Sequence, residues 1–173
     1  MYSLDSDKWA TLEHAYGSAE DIPKILHALL DQEDGAYYWD NIWSSLCHQG
    51  TIYSATFAVF PYLISALKTQ LEQGKANVNF YYFATCVEIS RQVFSVEIPE
   101  ELNKDYFLCL KKLNQYQKTF LDLSESCEHL TITLAFQAVI KNQPQLAEFL
   151  LNLQEEEIED VSQWYFNREE KEE

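Results

Sequence analysis

The sequence predicts an all-α fold, a single domain of about seven to nine helices stacked as antiparallel pairs. Three observations carry the prediction. Apolar residues recur at steps of three and four through most of the 173 residues, the spacing of one face of an α-helix. Only four glycines and four prolines are present, too little punctuation for the many tight turns of an all-β chain. With 47% apolar residues, a chain of this length can bury one core without disulfide or metal staples.

Taken in order, Ser6 or Asp5 caps a first helix through Trp9, Leu12 and Tyr16, stopped by Gly17. Ser18-Ala19-Glu20-Asp21 has the form of a capping box, with Pro23 tolerated in or just after the first turn. Ile22, Ile25, Leu26, Leu29 and Leu30 then form a stripe. A connector from Asp31 to Gly35 leads to a third helix with Tyr38, Trp39, Ile42, Trp43 and Leu46 at helical spacing. The organising stretch follows, Ser45–Lys68. In it Cys47 and His48 close a helix, Gly50 stops it with positive φ, and Thr51 or Ser54 caps the next. Phe57, Phe60, Leu63, Ile64 and Leu67 mark the buried face of that helix, and Pro61 is expected to bend it without ending it. Phe57, Phe60, Leu63, Ile42, Trp43, Leu26 and Leu29 are the expected core.

Beyond Gly74, Val78 to Phe94 is aromatic enough to suggest a strand, but its length favours a buried helix. Ile98-Pro99-Glu100-Glu101 opens a helix through Tyr106, Leu110 and Leu113. Leu130 to Ile140 reads as a helix packed on two sides, and Pro144 starts a shorter one through Leu146, Phe149 and Leu150. Gln154 to Phe166 is expected to add an acidic helix with Ile158, Val161 and Tyr165 inward. The domain thus runs over 1–166, with 167–173 an acidic tail expected to stay disordered.

Twenty-eight acids against twelve bases give a net charge of −16. Nine of the acids and two of the bases fall from Gln154 onward, so the end carries −7 and the rest −9. Such a field repels nucleic acid and anionic membrane and attracts basic proteins, although acidity also serves solubility alone. The cysteines, Cys47, Cys86, Cys109 and Cys127, lie far apart in apolar helical patterns with no CxxC pair. Buried free thiols in a reducing compartment are expected, in preference to disulfides or metal ligands. MYSLDSDKW has neither a basic nor an apolar leader region, and no apolar run reaches the length of a membrane span, so a cytoplasmic location is expected.

Helix-pair units recur at roughly 40 residues, a period that fits helical-repeat solenoids. The strings WATLEHAYGSAEDIPKILHALL (from Trp9) and WSSLCHQGTIYSATFAVFPYL (from Trp43) resemble bacterial proteins of the HEAT-repeat-like class, whose N-terminal ends carry similar HAYGSAEDIP and HQGT-Y-AT segments. The likeness covers Trp9 to about Leu67, roughly a third of the chain. It implies HEAT-like helical hairpin repeats stacked as a short α-solenoid, used for protein binding and without enzyme activity.

No catalytic or metal constellation stands out. His14, His27, His48 and His129 form no HxxxH or HExxH pair, and helix-terminal or core roles suit them better than ligation. Ser44, Ser45 and Ser54 near His48 lack the G-x-S-x-G elbow of a nucleophile. No cofactor is expected. The expected function is therefore binding of a basic protein, most concretely as an immunity protein (antitoxin) that occludes the active site of a cognate toxin such as a nuclease, which must itself be basic to grip phosphates. A HEAT-like scaffold or regulatory adaptor without a toxin is the alternative. Candidate contact residues are the acids Asp31, Glu33, Asp34, Glu155, Glu156 and Glu157, with Tyr37 and Tyr38 as aromatic anchors.

Overall fold

The structure, a computed structural model, describes residues 1–32, 35–124, 126–153 and 157. Among them are eight α-helices: α1 (Ile22–Leu30), α2 (Gly35–Leu46), α3 (Ser54–Ala58), α4 (Phe60–Glu72), α5 (Asn79–Val93), α6 (Glu100–Asp122), α7 (Cys127–Ile140) and α8 (Pro144–Asn152). Two short antiparallel hairpins accompany them, β1 (Glu13–His14) with β2 (Gly17–Ser18) and β3 (Cys47–His48) with β4 (Thr51–Ile52). The chain is thus mainly helical, as the apolar spacing predicts. The acidic helix expected over 154–166 and the tail 167–173 lie outside the described residues, apart from Glu157.

The hub is α5, the segment whose aromatic content invited a strand. Phe80, Tyr81, Phe83, Ala84 and Val87 are all buried, and the aromatics reach rings on the helices around them. Trp39 of α2 meets Phe80 edge-on with ring centroids 5.0 Å apart, and Trp43 meets Phe83 at 5.1 Å. On the other side Tyr81 packs against Phe120 of α6 at 4.6 Å and Phe136 of α7 at 5.4 Å, and its hydroxyl donates to the Leu113 carbonyl at 2.8 Å. Phe57 of α3 and Phe60 of α4 close on Tyr106 of α6 at 5.0 and 4.5 Å. Such pairs add ~0.5–1.5 kcal/mol each beyond the area they bury, so the helices are held in orientation as well as in proximity. The expected core is buried throughout except for Trp43, which is partly exposed.

Four local expectations are corrected. The helix expected from Ser6 to Tyr16 is a 3₁₀ turn over Asp7–Thr11, capped by Ser6, after which Leu12 is extended and the chain enters β1. Its periodic residues Trp9 and Leu12 are buried but Tyr16 is not, so the spacing of three and four was met without a helix. Ser18 is no N-cap; it lies in β2, and α1 starts at Ile22 with no side-chain cap from Asp21. Helix α2 stops at Leu46, and Cys47 and His48 belong to a strand. Finally, the helix from Ser54 breaks at Val59 before Pro61; Val59 keeps dihedrals of −79° and −21°, and Pro61 sits in the first turn of α4, where its missing N–H is tolerated.

All four cysteines are free, Cys47 and Cys109 buried and Cys86 and Cys127 partly so. Burial pushes the thiols of Cys47 and Cys109 up to about 11 and that of Cys86 to about 12, which keeps them neutral and weakly nucleophilic at physiological pH. No described helix is long and apolar enough to cross a membrane.

A double-hairpin end as candidate functional site

The two segments HAYGS and CHQGTI, distant in sequence, fold into the two hairpins and meet where α2 ends and α3 begins. The second hairpin follows directly from its turn residues. Gln49 and Gly50 both have positive φ, 51° and 78°, the signature of the two-residue turn whose twist matches that of paired strands. His48 then pairs with Thr51 and Cys47 with Ile52. In the first hairpin His14 pairs with Gly17, whose φ of 122° a side chain would strain.

Hydrogen bonds tie the hairpins to the helix ends beside them. The Ala15 N–H donates to the Ser45 carbonyl at 2.9 Å, satisfying an acceptor in the last turn of α2. The Glu13 N–H donates to Ser54 Oγ at 2.8 Å, which ties the first hairpin to the start of α3. Thr56, fully buried, accepts from the Tyr53 N–H at 2.9 Å and donates to the Leu46 carbonyl at 2.6 Å, so one hydroxyl joins the start of α3 to the end of α2.

At the centre lies buried His14. Its Nδ1 accepts from the Tyr16 N–H at 3.2 Å, which leaves the ring proton on Nε2 to face Asp21 Oδ1 at 3.0 Å. Both ring nitrogens are therefore engaged within the chain, and the imidazole works as a brace. It supports Tyr16, whose ring stands edge-on to His14 at 5.9 Å and to His48 at 5.7 Å while remaining 66% exposed. An outward tyrosine is thus held between two imidazoles, with exposed Glu13, Glu20 and Asp21 on the same segment. Among the described residues no group of three or more His, Cys, Asp or Glu side chains could hold a metal ion.

The expected contact residues are distributed differently. Asp31 is exposed at the C-cap of α1. Tyr37 and Tyr38 share α2, but Tyr37 is 42% exposed whereas Tyr38 is 3% exposed and packs on Trp39, which places Tyr38 in the core. Glu157 is exposed, and Glu33, Asp34, Glu155 and Glu156 lie outside the described residues. Helical spacing had placed Tyr16 inside a helix and so hid it; the Gln49-Gly50 pair was the signal that could have revealed the second hairpin. No family model, curated protein or solved structure matches the chain.

Proposed function

We propose that the chain is a protein-binding module, an immunity protein that neutralises a basic toxin such as a nuclease by covering its active site, on a helical body of the short HEAT-like α-solenoid kind. The observation that carries this reading is an exposed aromatic anchor in an acidic setting. Tyr16 stands 66% exposed on the double-hairpin end of a chain with a net charge of −16, and exposed Glu13, Glu20 and Asp21 belong to the same segment. Tyrosine is favoured at the desolvated centre of interfaces because it brings a large amphipathic surface at low entropy cost, while surrounding carboxylates steer a cationic partner and raise its association rate. Asp31, Tyr37 and Glu157 are further exposed groups that such a partner could meet.

The test is to recover the basic partner by co-purification and to measure its association and dissociation rates across a salt series. Association should fall as ions screen the field beyond about 8–10 Å, and changing Glu13, Asp21 and Asp31 to Ser should flatten that dependence. Tyr16→Ala should leave association near its original rate and speed dissociation by roughly tenfold or more, the behaviour of an anchor at the buried centre. A salt-independent association rate, or a dissociation rate untouched by Tyr16→Ala, would remove this mechanism. Turnover of a small substrate by the purified protein would overturn the binding reading altogether.

A further inference from the structure

We propose that a second site, a cleft between α5, α6 and the α7–α8 junction, binds a small monocarboxylate with a short apolar body. The cleft has a volume of about 230 Å³ and opens beside a broader trough of about 540 Å³, the two sharing Arg91, Gln92 and Asn142. Drug-sized pockets run to roughly 300–1,000 Å³, so this one suits a ligand of only a few carbons. Its apolar walls come from Phe107, Leu110 and Ile140, and its charged ones from Arg91 and Lys111 above buried Glu88.

The hydrogen-bond bookkeeping selects the ligand's charge. Glu88, 2% exposed, is saturated: Oε1 accepts from Arg91 Nε and the Tyr106 hydroxyl, both at 2.6 Å, and Oε2 accepts from Arg91 Nη2 at 2.8 Å and Gln92 Nε2 at 3.0 Å. These four donors occupy the lone-pair sites of the carboxylate, so it has nothing left for a cation. The Gln92 amide nitrogen also donates to the Val139 carbonyl at 2.8 Å, which uses both its protons. Asn114 Oδ1 accepts from Gln137 Nε2 at 2.5 Å, leaving its own amide nitrogen as the open group. Among the described residues, Arg91 Nη1, Lys111 Nζ and Asn114 Nδ2 therefore remain as donors without an acceptor, Gln92 Oε1 is left as one open acceptor against these three donors, and Asn142 can present either end of its carboxamide.

With Arg91 offset by Glu88, Lys111 leaves the cleft with a single net positive charge, which matches a monoanion better than a phosphate dianion and excludes an ammonium. The Arg91 guanidinium is also held 5.6 Å from the Phe107 ring, so its position at the wall is set before any ligand arrives. A carboxylate head on Lys111, Arg91 and Asn114, with an aliphatic tail along Phe107, Leu110 and Ile140, uses every open donor and covers apolar surface that is otherwise wet. The site is independent of the basic partner proposed above and stands or falls by itself.

The probe is hexanoate, titrated calorimetrically into the whole chain, with hexylamine and 1-hexanol as matched controls. Saturable one-to-one binding of hexanoate is expected, with no comparable binding of either control. Lys111 and Asn114 are exposed, so their variants should fold, as a urea melt run alongside will verify. Lys111→Met should weaken hexanoate by about tenfold or more, since a charge-assisted contact is lost. Asn114→Asp, which keeps an acceptor for Gln137 and puts a negative charge at the cleft, should weaken it at least as much, while Lys111→Arg should retain most of the affinity. Absence of saturable hexanoate binding, equal binding of hexylamine or 1-hexanol, or unchanged affinity in both weakened variants would overturn the proposal.

Discussion

At the double-hairpin end, Asp21 holds His14 through one 3.0 Å contact with its own side chain 63% exposed, whereas in the core Glu88 is 2% exposed and takes four hydrogen bonds. The contrast shows how solvent decides what a carboxylate requires. Water can complete the shell of Asp21, so one partner suffices and the backbone is left to shape the surface. Glu88 has no water to fall back on, and the protein must supply every donor from α5 and α6. The neighbouring phenol follows the same rule: burial, reinforced by the Glu88 charge, raises the pKa of Tyr106 well above its usual value, so it stays protonated and donates.

Removing a donor from the buried centre should therefore have the largest effect. Arg91→Met leaves the Glu88 charge uncompensated and should cost ~3–5 kcal/mol in a urea melt. Adding Glu88→Leu to Arg91→Met should restore part of that loss, because the penalty comes from the stranded charge more than from the missing attraction. A single variant as stable as the parent would show that water reaches Glu88 after all.

At the other region the backbone is the vulnerable part. Gly50 has open space around its Cβ position, so Gly50→Val would create no collision, yet it must hold a φ of 78° and should cost about 1–3 kcal/mol through strain alone. Melting behaviour identical to the parent would mean that the turn relaxes to an ordinary conformation. The smallest effect is expected at the exposed hydrogen-bond partner of His14. Asp21→Asn keeps an oxygen for His14 Nε2, and the loss should stay below ~1 kcal/mol, no more than one ordinary hydrogen bond contributes. A cost comparable with that of Arg91→Met would erase the distinction between the two centres.

Periodicity made the long helices legible. The stripes of α1 and α4, the connector that begins at Asp31, and the long apolar and aromatic run of Val78 to Phe94 are all local statements, and neighbouring residues suffice to make them. Even the positive φ of Gly50 was legible, although the element it ends was not. The proposed cleft was not legible either. Glu88, Arg91 and Gln92 lie close in sequence, but Tyr106, Lys111 and Asn114 join them only when α6 packs across, and no spacing rule anticipates that meeting.

What the sequence determined by itself is the all-α character, the greater part of the core and the strongly negative field, because each depends on composition or on contacts within a few residues. What only the tertiary structure decided is the fate of Leu12 to Ser18 and of Cys47 to Ile52. Trp9, Leu12 and Tyr16 satisfy a helical spacing, yet the Ala15 N–H finds its acceptor on Ser45 and the Glu13 N–H on Ser54, and these bonds replace the ones a helix would have made. A backbone group near a buried surface must be paired by some partner. When that partner comes from a distant part of the chain, no local pattern records it, and the same distant pairing here turns a short helix into a hairpin that carries Tyr16 outward.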